Sequence, residues 1–361
     1  MIRILTQKDF LTMFQINKNE VYVIAEIGQN HNGDINIAKK LIDQLDVYPY
    51  DEISGNRLNK INAIKLTKRD LTEELSKDGM EMPYDNPNSF GATYGKHRQA
   101  LELSYEEHVE LGEYIKSKGF DFIETLCSVK TLKLLDMAPI DKIKLASRDL
   151  TNIPLLIEIA KRDYPVIIST GMASEDDISM AMEILKDKDV SILHCLSQYP
   201  AEYSRLNMRS MEKLKELYPN RVIGYSDHSL GIHIPSMAVA MGAAIIEKHV
   251  TLDKSMKGTD QKGSAEPQEV KQMMHNIRTI EMSFGERKVY KDSSTIESSK
   301  KLERSLAVNK DIPIGRQITE SDLHMISPGD GLRWDDRDVV VGKTLVNGLK
   351  QNQLIKIDNL K

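Results

Sequence analysis

The sequence predicts an α/β protein: a (β/α)8 barrel followed by a small, mostly β domain at the C-terminus. Two observations predict it. Eight short, near-continuous apolar and β-branched runs alternate with segments of helical spacing between residues 21 and 285, and such runs are what strands covered on both faces of a parallel sheet require. The Ser- and Lys-rich stretch 291–301 then reads as a linker to residues 302–361, where short strands are punctuated by Pro and Gly. The barrel accordingly occupies residues 1–290. A doubly wound open sheet is the competing arrangement, but no G-x-G-x-x-G follows the first run.

In chain order, the strand candidates are 21–28, 62–68, 120–126, 140–147, 164–171, 189–195, 221–228 and 243–250. Helical spacing marks 104–119, 152–163, 174–187, 208–218 and 266–285. Ser174 with Asp177 has the form of a capping box, and Gly119 that of a helix stop. Two connections break the rhythm, 45–61 and the turn-rich 69–103. Loops of that length in a compact domain are usually lids or surface insertions.

The 361 residues are 40% hydrophobic and 29% charged, which supplies a core and carries no disorder signature. A net charge of -5 and a pI of about 6.0 lack the basic excess that a nucleic-acid-binding surface needs. Cys127 and Cys195 make no disulfide framework, and the 17 methionines read as core filler. No run approaches the ~20 apolar residues of a membrane helix. The opening MIRILTQKDFLTMF lacks the apolar core of a signal peptide. The expectation is a soluble, cytoplasmic protein without nucleic-acid or membrane partners.

Barrels of this type carry their chemistry at the C-terminal ends of the strands. Those ends hold Glu26, Asn30, His31 and Asn32; Lys65; Glu124 and Thr125; Lys144 and Ser147. The later strands add Ser169 and Thr170; His194; Ser226, Asp227 and His228; Glu247, Lys248 and His249. His228 and His249 occupy matching positions on adjacent strands, whose ends lie only ~5 Å apart. They suit a shared transition-metal ion, with hydrogen-bonded structural histidines as the alternative. Lys65 and Lys144, ringed by Ser147, Ser169 and Ser226, point to a bound phosphate or carboxylate, because a buried ammonium is costly without an anion. The alternatives are salt bridges to Glu26, Glu124 or Asp149, snorkelling to the barrel mouth, or a Schiff-base lysine of the class I aldolase kind. GATYG and GDG are turns without nucleotide context. Trp334 and the small β domain leave a carbohydrate- or ice-binding role as a reading from a different class.

The segments AEIGQNHNGD (25–34), KIKLASRDL (142–150), ISTGMAS (168–174), GYSDHS (224–229), EKHVTLDKSMKGTD (247–260) and SLAVNKDIPIGRQITESDL resemble the sialic acid synthase family. The resemblance runs from about residue 20 to 361 and includes a C-terminal antifreeze-like (SAF) domain. It implies a (β/α)8 TIM barrel with that domain, and condensation of phosphoenolpyruvate with a hexose of the N-acetylmannosamine type. By motif, it implies that Glu26 is the catalytic carboxylate and that His228 and His249 ligate a divalent metal ion, Mn or Mg. Lys65 and Thr125 fall where the family holds the phosphoenolpyruvate carboxylate. Lys144, Ser147, Ser169 and Ser226 match the set around its phosphate, and Tyr199 and Asp260 match residues beside the sugar. A homodimer whose small domain reaches over the partner's barrel is implied as well.

Departures from the family's pattern bear on the acceptor. The second strand reads Lys65-Leu66-Thr67 instead of K-F-Q, Gly258-Thr259-Asp260-Gln261 replaces G-P-D-H, and Ser197 stands where Asn is common. Ser327 precedes the Pro-Gly-x-Gly turn where relatives place Arg, which makes Arg333 the candidate to reach back to the sugar. An acceptor of the legionaminate- or pseudaminate-precursor type therefore rivals N-acetylmannosamine. An octulosonate or heptulosonate phosphate synthase is the more distant alternative.

Overall fold

Eight parallel strands close into a barrel in chain order: β1 Tyr22–Gly28, β2 Ala63–Lys68, β3 Asp121–Leu126, β4 Lys142–Leu145, β5 Val166–Ser169, β6 Val190–Cys195, β7 Val222–Asp227 and β8 Ile245–His249. Each lies inside a run predicted from sequence. The computed structural model describes residues 20–361; the opening stretch read for a signal peptide lies outside them. Pairing of β1 with both β2 and β8 closes the ring and sets Glu26 between Lys65 and His249.

Because side chains alternate along a strand, each strand serves two cores. Tyr22, Ile24, Ala63, Ile123, Ile167 and Leu193 belong to a small cluster that fills the barrel interior. Their neighbours, such as Val23, Ile64, Phe122, Val166 and Ile192, join the large layer under the helices. Towards the C-terminal ends the inward phase turns polar, and the site begins there.

The surrounding helices are Ile35–Leu45, Tyr105–Ser117, Ile153–Ala160, Glu175–Ile184, Ser210–Leu217, His233–Ala240 and Pro267–Ser283. The Ser174–Asp177 capping box forms, and Gly119 takes φ +74 just past the helix it ends. Between β3 and β4 the connection is a 3₁₀ segment, Lys130–Asp136. Among the described residues no helix is long and apolar enough to cross a membrane.

Both long connections have structure of their own. In 45–61, Tyr50 bridges Arg57, whose guanidinium lies 3.1 Å from the Tyr48 ring centroid. In 69–103, one-turn helices at Leu71–Glu74 and Lys77–Glu81 precede a Pro83–Thr93 bridge and the helix Tyr94–Ala100. Tyr84, Phe90 and Tyr94 pack around buried His97, with Tyr84 at 4.7 Å and Phe90 at 6.0 Å.

Asp189, at the entry to β6, is buried with neither carboxylate oxygen hydrogen-bonded. Burial pushes its pKa up to about 6 against the opposing charges of Arg221 and Lys142. The folded state thus holds this proton more tightly than the unfolded chain. The resulting stability is complete below the unfolded value near ~4 and is lost as pH rises through about 6. Asp189→Asn is expected to leave Tm unchanged near pH ~4 and to raise it by a few degrees near pH ~7.5. A pH-independent shift overturns this account.

The chain divides between Gly285 and Glu286. The second unit has two antiparallel strands, β9 Ser305–Val308 and β10 Leu323–Ile326, and isolated bridges such as Ile312–Leu349 and Gln317–Thr344. Leu306, Val308, Ile318, Val340 and Ile355 form its core. Asp322 is buried there between Lys310 at 2.7 Å and Arg316 at 3.3 Å. Within the stretch read as a linker, Ile296–Leu302 is helical, with Glu297 and Lys300 paired at 2.7 Å. Lys and Glu are good helix formers, and this local pairing outweighs the turn-like Ser content.

Candidate active site

The barrel mouth holds a cavity of about 500 Å³. Its floor is the inward phase of the strand ends: Glu26 on β1, Lys65 on β2, Thr125 on β3, Lys144 on β4, Ser169 on β5 and Ser226 on β7. On β8, Glu247 and His249 stand two residues apart and so share the inward face. Ser147, Tyr199, His228 and Asp260 join the wall from the loops that follow β4, β6, β7 and β8. Arg333 belongs to the second unit, where it is exposed and 3.8 Å from Asp335.

Lys65 is the electrostatic centre. Its Nζ lies 2.8 Å from Glu26 Oε1 and 3.6 Å from Glu247 Oε2, and donates to Thr125 Oγ1 at 3.0 Å. The salt-bridge reading therefore holds for Lys65 towards Glu26, with Glu247 as the second partner. Burial works to lower the Lys65 pKa, but the Glu247 and Glu26 carboxylates outweigh it and keep the ammonium charged. Lys144 differs. Its Nζ donates to Leu145 O at 3.0 Å, and burial depresses its pKa. The two glutamates are pushed apart. Burial raises the Glu26 carboxyl despite Lys65; Glu247 is buried too, but Lys65, Lys144 and the Ser226 hydroxyl at 2.9 Å hold it below the usual range.

Gly28 protects this arrangement. It ends β1 at φ +54, after a register shift in the β1–β2 pairing, and a Cβ there would sit 3.0 Å from Glu26 Oε1.

The His228 and His249 ring centroids are 5.5 Å apart, and Tyr199 lies over His228 at 4.0 Å. His228 Nδ1 is 2.7 Å from Leu196 O, a group that only accepts, so Nδ1 carries a proton and, in the neutral ring, Nε2 keeps its lone pair. His249 Nδ1 is buried without a hydrogen-bond partner, as are Glu26 Oε2, Glu247 Oε2 and Ser169 Oγ. Buried polar atoms are normally satisfied. Four such atoms around one cavity mark a place built for a polar ligand.

The structure sorts the remaining strand-end residues by phase. Glu124 faces outward to His108 Nδ1 at 3.0 Å, and Lys248 pairs with Asp227 at 2.7 Å beneath the helices. His194 is 2.8 Å from Leu206 O, and Asn30 donates to Val250 O and Ser264 Oγ. These residues serve the scaffold. Gln261, where the family's pattern has histidine, is buried and donates to Asn32 Oδ1 at 3.0 Å while its Oε1 accepts from the Asp260 backbone at 3.2 Å.

Sequence reasoning placed Glu247 in the strand-end ring without giving it a role, and did not single out Cys195 or Arg148. The first had a usable signal, its two-residue spacing from His249. Cys195 has the same kind of signal as the last inward residue of β6, and its Sγ lies 3.6 Å from His228 Nδ1. Arg148 had none beyond following Ser147. The long 69–103 connection contributes Tyr84, Asn86, Asn88 and Arg98 to the cavity wall, a role that no motif announced.

A model of the NeuB family matches residues 56–289, and one of the SAF domain matches residues 303–361. The chain belongs to the NeuB family. This NeuB-family chain is 34% identical to the N,N'-diacetyllegionaminic acid synthase of Campylobacter jejuni, over 92% of its own length and 98% of the relative's. To the human N-acetylneuraminate-9-phosphate synthase it is 31% identical, over 92% and 91%. Among solved structures, the N-acetylneuraminic acid synthetase of Leptospira borgpetersenii in complex with citrate superimposes with a TM-score of 0.63 at 33% identity, over 77% of this chain and 90% of that one. The NeuB barrel followed by a SAF domain is the architecture that the sequence predicts.

Proposed function

We propose that this chain is a nonulosonic (sialic) acid synthase, condensing phosphoenolpyruvate with an N-acetylmannosamine-type aldose and releasing phosphate. The carrying observation is the set of buried, unsatisfied polar atoms on Glu26, Ser169, Glu247 and His249 in the mouth that also holds Lys65 and Lys144. A phosphate and a carboxylate on one small molecule match two ammonium groups set among hydroxyls.

In this reading Lys65 and Thr125 take the phosphoenolpyruvate carboxylate, and Lys144, Ser147 and Ser169 take its phosphate. Ser226 already donates to Glu247, so its part is to orient that carboxylate beside the phosphate. C3 of phosphoenolpyruvate bonds to the aldehyde carbon, water adds at C2, and phosphate leaves with cleavage of the C2–O bond. Glu26, whose carboxyl holds its proton more readily than an exposed glutamate, supplies a proton to the developing alkoxide and takes one from the attacking water. Tyr199 and Asp260 line the acceptor side.

His228 and His249 fit a divalent cation, Mn or Mg, by donor chemistry: one free Nε2 lone pair and one unpartnered ring nitrogen. Among the described residues no cluster of three or more His, Cys, Asp or Glu side chains is assembled for a metal. The pair thus suits an exchangeable ion with oxygens from water or substrate completing its shell. Such an ion, when bound, supplies Lewis acidity to the acceptor aldehyde.

The test is acceptor-dependent phosphate release with phosphoenolpyruvate carrying ¹⁸O in the C–O–P bridge. Label is expected in the phosphate, and unlabelled phosphate rules out the C2–O cleavage. Chelation is expected to abolish turnover and added Mn or Mg to restore it, while His228→Ala leaves the circular dichroism unchanged; undiminished activity after chelation removes the metal from the scheme. Borohydride is expected to trap no lysine adduct. Lys144 is the residue to inspect, because burial favours its neutral form.

A further inference from the structure

The cavity has a second cationic wall that the condensation does not use. Arg69 directly follows β2, Arg148 sits in the short turn after β4, and Arg98 lies on the helix of the 69–103 connection; all three line the cavity. We infer that Arg69, Arg98 and Arg148 form an anion subsite, separate from the Lys65–Lys144 cradle, for a phosphate or carboxylate at the end of the acceptor sugar remote from its aldehyde. The inference rests on the synthase reading for the word acceptor and on the geometry for the subsite.

The guanidinium groups are held in place. Arg69 Nη1 is 3.2 Å from Glu74 Oε2, and Arg148 lies 3.3 Å from Asp149, 3.6 Å from Glu74 and 2.8 Å from Cys127 Sγ. Arg98 donates to Tyr94 Oη at 2.9 Å and to Gln29 Oε1 at 3.0 Å. Glu102 also faces the Arg69 charge, but Lys68 at 3.4 Å matches it, and it is bonded to Gln29 and the Arg69 backbone. Three guanidinium groups therefore face two carboxylates, Glu74 and Asp149, so the wall keeps a positive excess. Arg69 is buried and its Nε has no partner, which leaves a costly donor waiting for an acceptor.

The wall and Lys65 answer to different neighbours, while Asp149 lies within reach of Arg148, Arg69 and Lys144. The charges that act most on Arg69 are Arg148, Cys127, Arg98 and Glu74, whereas those acting on Lys65 are Glu247, Glu26 and Glu124. Preorganised guanidinium forks match phosphate and carboxylate oxygens better than an ammonium does. Asn86 and Asn88, on the same connection as Arg98, add neutral donors suited to sugar hydroxyls. A 2,4,6-trideoxyhexose has no oxygen at C6 to carry an anion. The subsite therefore favours a hexosamine bearing a 6-phosphate or a 6-carboxylate over the diacetamido-trideoxy acceptors.

The experiment is calorimetric binding to the full chain with saturating phosphoenolpyruvate and a chelator present. The three probes are N-acetylmannosamine, its 6-phosphate and the corresponding uronic acid. At least one anionic sugar is expected to bind about tenfold or more tighter than the neutral one; tighter phosphate identifies a phosphomonoester ligand, tighter uronate a carboxylate. Arg98→Gln and Arg148→Gln are each expected to shrink that ratio to within about threefold. Equal binding of all three sugars by wild type overturns the subsite without any variant having to fold. A ratio unmoved by both substitutions, or variants that weaken phosphoenolpyruvate instead, overturns it as well. Phosphate release with metal restored reads the parent proposal separately: no release with any acceptor defeats the synthase reading, while release only with neutral sugars defeats the subsite alone.

Discussion

Replacing Lys65 with methionine is expected to lower kcat/KM for phosphoenolpyruvate by about three orders of magnitude, equivalent to roughly 4 kcal/mol of transition-state stabilisation. Two losses combine. The ammonium proposed to meet the substrate carboxylate disappears, and Glu26 and Glu247, which share it at 2.8 and 3.6 Å, remain buried with only Lys144 to oppose them. An anion must then approach the Glu247 carboxylate without the Lys65 charge between them, in a site of low dielectric where charge pairs are worth far more than in water. Lys65→Arg is not expected to rescue, because a planar fork cannot occupy a space shaped for a point charge between Thr125 and Glu26. Steady-state phosphate release at varied phosphoenolpyruvate measures the effect. A loss smaller than about tenfold means that the substrate carboxylate is held elsewhere in the cavity.

The largest effect on stability is expected from breaking the Asp227–Lys248 pair. Both side chains are almost fully buried and lie 2.7 Å apart; Asp227 also accepts from Tyr225 Oη at 3.0 Å and from the Ser229 backbone at 3.1 Å, and Lys248 donates to Ser229 O. Removing one member leaves the other charge uncompensated, a loss of about 3–5 kcal/mol. Asp227→Ala and Lys248→Met are each expected to lower the urea midpoint of the barrel transition by that equivalent. The double substitution Asp227→Leu with Lys248→Met is expected to cost clearly less than the sum of the two single losses, because no orphan charge remains. Additive losses mean that the pair is uncoupled despite its geometry.

Among the buried lysines of the strands, Lys65 and Lys248 differ in a way that explains what was legible beforehand. Both end apolar runs and both carry a carboxylate partner, yet one is in the site and the other lies behind it. The phase of two along β8 separates them: Glu247 and His249 face inward, Lys248 outward. That alternation is present in the amino-acid sequence, and applying it to every strand end would have removed Glu124, His194, Asp227 and Lys248 from the candidate ring, kept Glu247 and promoted Cys195 into it. The 69–103 connection had no comparable signal. Its wall residues Tyr84, Asn86 and Asn88 come from turns, and Arg98 from a helix, whose direction depends on the Pro83–Thr93 bridge and the packing around His97.

The sequence by itself determined the eight strands and their closed parallel arrangement, since apolar periodicity is a local property that burial on both faces enforces; motif resemblance supplied the SAF domain and about half of the residues that line the barrel mouth. Only the tertiary structure decided which charges neutralise one another. Lys65 is shared by Glu26 and Glu247 because three strands, far apart in the chain, meet at one level of a closed barrel. Arg69, Arg98 and Arg148 converge because a long connection folds back over β2 and β4. Electrostatic energies depend on distances of a few ångströms between such residues, and chain spacing does not encode those distances.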